Sequence, residues 1–240
     1  MFSLFKKKKA AAKVACIVPA AGAATRMRQQ YGEGKQLIEL RGVPLLVHTL
    51  QALERAASID HVVVVARQEE MPAIVRLARE YGLSKVQSVV RGGESRTESV
   101  ACGLRALPPG FEYVAIHDGA RPLCTPELID AVVEAAEIYG AAIPGVPPKD
   151  TVRVQKNGMV KKDLRRDELI LTQTPQVFRL EEFDVALGYA LTQPGDYTDD
   201  ASVYGILGKS IAVVEGDYRN IKVTVPEDIP VAELLLEVGR

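Results

Sequence analysis

From Lys13 to Val146, short apolar runs alternate with stretches whose apolar residues recur every three to four positions. The runs Lys13–Val18, His61–Ala66, Lys85–Arg91, Tyr113–His117 and Ala141–Val146 read as strands. His61-Val62-Val63-Val64-Val65-Ala66 is apolar on both faces, as a central parallel strand must be. Between the runs lie helical patterns. Pro44–Ala57 places Leu45, Leu46, Thr49, Leu50 and Leu53 on one stripe, and Pro72–Tyr81 stops at Gly82, a suitable C-cap. Ser95-Arg96-Thr97-Glu98 has capping-box spacing and opens a helix to about Leu107, closed by Pro108-Pro109-Gly110. Thr125 as N-cap and Pro126 at the first helical position start another, which ends near Gly140. This alternation predicts an α/β fold with a doubly wound, mostly parallel sheet. Ligands of such sheets sit beyond the carboxyl ends of the strands, here the loops after Val18, Ala66, Val90, His117 and Val146.

The pattern breaks near residue 148. Thr151-Val152-Arg153-Val154 alternates, Asn157-Gly158 is a hairpin turn signal, and short strands flank it. The segment carries Arg153, Lys156, Lys161, Lys162, Arg165 and Arg166 with few large apolar residues, so it cannot bury itself alone. It reads as a projecting β-arm over about 148–170, packed on a partner subunit or simply exposed. Helices near Leu180–Leu191 and Asp199–Leu207, a strand Ser210–Glu215 and a final helix from Pro226 follow. Residues 13–240 read as a single domain, preceded by a flexible basic tail, 1–12.

Composition narrows the partners. The 240 residues carry a net charge of -1, so no global basic field favours nucleic acid or an anionic membrane. No apolar run has the length of a membrane span, and the N-terminal residues lack the apolar core of a signal peptide. Cys16, Cys102 and Cys124 are odd in number and lack C-x-x-C spacing. With His48, His61 and His117 scattered, neither structural zinc nor a disulfide framework is expected, and a cytoplasmic location fits.

Five stretches at or beyond the strand ends could carry chemistry. The first strand runs into Pro19-Ala20-Ala21-Gly22-Ala23-Ala24, followed by Arg26 and Lys35. Small residues let backbone N–H groups approach a phosphate or base, and the cations suggest a polyphosphate. The loop matches neither the dinucleotide fingerprint nor the P-loop, which argues against an NAD-binding dehydrogenase. Gly92-Gly93-Glu94-Ser95 offers close backbone approach at a helix start, or merely a tight turn. His117-Asp118-Gly119-Ala120-Arg121 could bind a hydroxyl and a phosphate or hold a metal, or form only a local ion pair. Tyr197-Thr198-Asp199-Asp200 could reach a ligand, or serve only as a cap with Thr198 as N-cap. Lys222 lies in a loop where a lone lysine is ordinarily surface.

Together these stretches resemble the 2-C-methyl-D-erythritol 4-phosphate cytidylyltransferase family from about Val14 to Leu236. The likeness rests on P-A-A-G-x-x-x-R-M, G-K-Q, G-G-x-x-R-x-x-S-V, H-D-G-A-R-P, K-D-T, T-P-Q, T-D-D-A-S and N-I-K-V-T-x-P-E-D, in this order. The resemblance implies a Rossmann-like nucleotidyltransferase fold, transfer of CMP from CTP to the polyol phosphate, a Mg2+ requirement and a homodimer joined through the arm. It implies catalytic roles for Arg26, Lys35, Arg166 and Lys222. It places CTP against Pro19, Ala20, Ala21, Gly22, Gly92, Gly93, Glu94, Ser99, Asp118, Gly119 and Thr198. The polyol phosphate would face Asp118, Arg121, Thr151, Arg166, Thr174 and Lys222, with Arg166 reaching from the neighbouring subunit. Mg2+ would be held mainly by the CTP phosphates, with Asp118 as a protein ligand. Gly34 stands where the family has proline, Glu94 where it has aspartate, and Asp200 where it has glutamate. The alternatives are a ribitol 5-phosphate cytidylyltransferase and a non-catalytic nucleotide-binding protein.

Overall fold

The computed structural model describes residues 12–22, 34–193, 195 and 197–238, without the side chain of Lys35. Its centre is an eight-stranded sheet. Strand β1 (Val14–Pro19) is followed by the short pair β2 (Glu39–Leu40) and β3 (Val43–Pro44), then helix α1 (Leu45–Arg55). Next come β4 (His61–Ala66), α2 (Met71–Glu80), β5 (Val86–Arg91), α3 (Arg96–Arg105), β6 (Tyr113–Ile116), α4 (Pro126–Tyr139) and β7 (Ala141–Val146). The arm is β8 (Arg153–Lys156) and β9 (Met159–Asp163). After it come β10 (Leu171–Thr172), β11 (Gln176–Arg179), α5 (Leu180–Thr192), α6 (Asp200–Tyr204), β12 (Ala212–Glu215) and α7 (Asp228–Val238).

The alternating β/α pattern yields the expected parallel pairs: β1 with β4 and β6, β4 with β5, and β7 with β12. Four strands were not expected, the short β2, β3 and β10 and, in the interior of the central sheet, β11. Gln176–Arg179 enters antiparallel between β6 and β7, so these two do not meet directly. At four residues it is too short to show a period, and it runs directly into α5. Its position makes the sheet mixed but still mostly parallel.

Alternate residues of β1 face opposite layers, as strand geometry requires. Val14, Cys16 and Val18 pack with Leu46, Leu50, Leu53, Ile129 and Val132 of α1 and α4. Ile17 faces the other layer with Val100 of α3 and Phe183 and Leu187 of α5. There Phe178 of β11 stacks on Phe183 and on Tyr204, each at 4.9 Å between ring centres.

The arm forms its own two-stranded sheet, exposed along its whole length. Its turn has positive φ at both central residues, Asn157 at 54° and Gly158 at 76°, the backbone that Asn-Gly supplies most readily. One cap differs from expectation. Asp199, not Thr198, is the N-cap of α6: its carboxylate accepts from Ser202 N–H at 2.9 Å. Both residue types can cap, but the second Asp199 oxygen also accepts from the Gln176 amide at 2.8 Å, tying α6 to β11. The last helix begins at Asp228, whose carboxylate accepts from Thr224 N–H and Val225 N–H at 2.6 and 3.0 Å.

Candidate active site

A cleft of about 720 Å³ opens at the carboxyl ends of β1, β4, β5 and β6, as the topology requires. One wall is the turn after β5. Gly92 N–H bonds to Ala66 C=O at 2.9 Å, and Gly93 N–H to the Ser99 hydroxyl at 3.2 Å. A Cβ on Gly92 would stand 2.7 Å from Ala21 Cβ and 2.8 Å from Ser99 Oγ, so only glycine fits there. The expected capping box is present: Ser95 Oγ accepts from Glu98 N–H, and the Glu98 carboxylate accepts from Ser95 N–H and Glu94 N–H. The opposite wall is the end of β1, where Ala20 N–H bonds to Val65 C=O and the Ala21 carbonyl accepts from Arg67 Nε at 3.1 Å.

At the floor lies Asp118, buried among three cations. Its Oδ2 is 3.0 Å from Lys222 Nζ and 3.4 Å from Arg121 Nε, and its Oδ1 is 3.6 Å from an Arg96 Nη2. Burial pushes the Asp118 carboxyl up, but Lys222, Arg96 and Arg121 outweigh it and hold it well below the usual carboxylate range. Behind Asp118 the Thr174 hydroxyl accepts its backbone N–H at 3.0 Å and lies 3.0 Å from His117 Nδ1. His117 is fully buried, and burial presses its pKa down to about 3. Arg121 gives Nη1 to Asn220 C=O at 2.6 Å, and Asn220 gives its amide to Thr174 C=O at 3.0 Å. Arg121 and Asn220 thereby join the loop bearing Lys222 to the end of β6.

Of the residues singled out from sequence, Pro19, Ala21, Gly22, Gly92, Gly93, Glu94, Ser99, Asp118, Gly119 and Lys222 line this cleft. Ala20 instead packs in the core beneath it. Arg121 and Thr174 are buried supports around Asp118 rather than lining residues. Thr198 is exposed outside the lining. Thr151 and Arg166 are exposed at the arm, where Arg166 Nη1 donates to Lys149 C=O at 3.2 Å. Arg26 and the Lys35 side chain lie outside the described residues; the Lys35 backbone begins a 3-10 turn, Lys35–Leu37.

The cleft also contains Gln36, Arg67 and Arg96, which sequence reasoning did not single out. Arg67 directly follows β4, at a strand end the topology marks for inspection. Arg96 sits inside the G-G-x-x-R stretch, but its partners come from β6 and α6. Spacing along one segment does not show them.

Among the described residues, no group of three or more His, Cys, Asp or Glu could hold a metal ion. Asp118 Oδ1 has one cation at 3.6 Å and is the less committed of its two oxygens. To a hard divalent cation Asp118 could give only this one oxygen, shared with Arg96, so ligand phosphates and water would have to fill the rest of the shell.

The chain matches relatives along almost its whole length. A family model described as 2-C-methyl-D-erythritol 4-phosphate cytidylyltransferase (IspD) covers residues 14–238. The protein of that name from Pelotomaculum thermopropionicum is 43% identical over 230 residues, spanning 95% of this chain and 96% of the relative. The one from Halalkalibacterium halodurans is 43% identical over 220 residues, 92% of this chain and 95% of the relative. Among solved structures, the 4-diphosphocytidyl-2C-methyl-D-erythritol synthase of Anaerococcus prevotii superposes with a TM-score of 0.84 at 30% identity, covering 95% of this chain and 97% of that one. Similarity of this extent in both sequence and fold means that the chain belongs to the 2-C-methyl-D-erythritol 4-phosphate cytidylyltransferase family.

Proposed function

We propose that this enzyme transfers CMP from CTP to 2-C-methyl-D-erythritol 4-phosphate, releasing pyrophosphate. The single observation that carries this is the cleft floor. Lys222 and Arg96 line a glycine-walled pocket, and with Arg121 they are three cations facing only two buried carboxylates, Asp118 and Asp200. Such a site favours a polyanion next to a flat ligand.

The reaction joins two anions, so cations and positioning matter more than a covalent nucleophile. An oxygen of the substrate phosphate attacks the α-phosphorus of CTP in line. The new P–O bond forms as the bond to the bridging oxygen breaks, and pyrophosphate departs with the electron pair. The base and ribose are taken by Pro19, Ala21, Gly22, Gly92, Gly93, Glu94, Ser99 and Gly119. Thr198, just ahead of the α6 N-cap and outside the cleft lining, would have to approach the nucleotide from the rim, and Ala20 supports the wall from below. Arg26 and Lys35 meet the triphosphate. Lys222 turns the substrate phosphate toward the α-phosphorus. Asp118 orients Lys222 and faces the polyol, with Arg121 holding that carboxylate and Thr174 accepting the Asp118 backbone N–H. Asp118 and the CTP phosphates would hold Mg2+, which would supply charge neutralisation on the triphosphate.

Thr151 and Arg166 serve the polyol phosphate of a neighbouring subunit in a homodimer. Support for that dimer comes from the arm, where Val154, Met159 and Val160 are exposed with no core to join. A cytoplasmic location follows from the chemistry of the substrates and from the free thiols of Cys16, Cys102 and Cys124. No helix among the described residues is long and apolar enough to cross a membrane.

The test is pyrophosphate release with CTP, Mg2+ and a panel of polyol phosphates that includes ribitol 5-phosphate. Turnover should be greatest with 2-C-methyl-D-erythritol 4-phosphate. Preference for ribitol 5-phosphate would replace the substrate, and CTP binding without turnover would replace the enzyme by a binding protein.

A further inference from the structure

We propose that Arg96 is a positioning residue of this reaction, held from behind by Asp200 so that it sets the Asp118 carboxylate and, through it, Lys222. The inference rests on the transferase reading above. Three chain segments meet here. Arg96 opens α3, Asp118 lies in the loop just after β6 and Asp200 opens α6. An Arg96 Nη2 lies 2.5 Å from Asp200 Oδ2 and 3.6 Å from Asp118 Oδ1. Asp200 is 1% exposed, and its side chain bonds to Arg96. A buried carboxylate is costly unless its partner is secured, so Asp200 is explained as the anchor of Arg96. Burial opposes the charge on Arg96, but Asp200 and Asp118 outweigh it and its pKa is raised. Arg96 therefore stays cationic.

The three cations around Asp118 are not equivalent. Arg121 is turned inward and spends Nη1 on the Asn220 carbonyl. Lys222 and Arg96 both line the cleft, on different oxygens of one carboxylate. With Oδ1 drawn toward Arg96, Oδ2 is left toward Lys222, and the ammonium is fixed at the cleft floor. Without Arg96, the carboxylate can rotate between Lys222 and Arg121 alone. One guanidinium nitrogen, Nη2, faces both carboxylates, and the planar, permanently charged group keeps it there where a shorter, flexible lysine ammonium would not. Loss of Arg96 should therefore impair turnover and use of the polyol phosphate while leaving the glycine-walled nucleotide pocket intact.

The experiment compares wild type, R96K and the paired variant R96Q/D200N in the pyrophosphate-release assay, with KM measured for each substrate. The pair removes both buried charges at nearly constant shape, so Asp200 is not stranded and the fold is kept. Thermal melting of each variant is recorded alongside. We expect kcat to fall at least ~10-fold in R96K and in folded R96Q/D200N, with KM for CTP changed less than ~3-fold, as loss of a transition-state interaction requires. Wild-type kcat in folded R96Q/D200N would overturn the proposal and leave Arg96 as a tie between α3 and α6. A matching rise in KM for CTP would also overturn it, making Arg96 a direct nucleotide ligand. If wild type turned over none of the polyol phosphates, the transferase reading itself would fall, and the inference with it.

Discussion

At the scale of single residues, the decisive feature is how charge is compensated under the cleft. Asp118 carries opposite meanings for folding and for ligand binding. It satisfies buried Arg121 and also restrains Lys222, which stays 40% exposed. D118N should cost about 3 kcal/mol in urea unfolding, because breaking a buried pair leaves unpaired charge. Its depressed pKa stabilises the fold above the ordinary carboxylate pKa, and that contribution is lost as pH falls below about 4. His117 acts earlier in an acid titration. Its folded pKa of about 3 lies below the unfolded value near 6.5, so between these limits the unfolded chain binds the extra proton. Stability is therefore complete above pH 6.5 and declines as pH falls. Between pH 7.5 and pH 5 the decline due to His117 should be about 2 kcal/mol, and H117Q should flatten the urea midpoint over that interval. For catalysis, K222A should lower turnover about 10²- to 10³-fold, as measured by pyrophosphate release, with only a small loss of stability because Arg121 and Arg96 still face Asp118.

At the scale of elements, the nucleotide wall is a strand end, a turn and a helix start acting as one piece. Gly92 can be nothing larger, because β1 and α3 converge on its Cα. G92A should raise KM for CTP more than tenfold while destabilising the fold by about 1–3 kcal/mol, the usual cost of overpacking. S95A removes only the capping hydroxyl and should cost about 1 kcal/mol of stability with a smaller effect on KM. Comparing the two by calorimetric CTP titration separates pocket shape from helix stability. The elements also show where local pattern is readable. Helix α3 and its capping box follow from four adjacent residues, and the arm's turn follows from two. Strand β11 does not. Its four residues gain their conformation from the neighbours β6 and β7, which lie tens of residues away in sequence. Asp199 takes the cap over Thr198 for the same reason, since Gln176 of β11 is there to receive its second oxygen.

At the scale of the whole molecule, the arm stands apart from the central sheet and buries nothing within its own chain. Deleting residues 151–165 should leave the domain folded by circular dichroism. On the homodimer proposed above, sedimentation should then show a monomer, and pyrophosphate release should fall at least about 100-fold, because that proposal has Arg166 act from the partner subunit. The alternating strands and helices from β1 to β7 apart from the short β2 and β3, the mostly parallel character of the sheet and the set of loops at its carboxyl edge were determined by sequence. These depend on apolar periodicity, caps and turns, which act over a few residues. Most of the glycine and alanine wall was legible for the same reason. Its residues lie in continuous stretches at the ends of β1 and β5. The ion cluster was legible only in part: the family resemblance put Asp118, Arg121 and Lys222 at one substrate, but not Arg96 or Asp200. Arg96, Asp118, Asp200 and Lys222 are separated by up to 126 positions and converge only after the sheet has closed. Sequence determined which charged groups this protein has. Only the tertiary structure decided which of them share a carboxylate, because a charge's role depends on distance and burial rather than on its place along the chain.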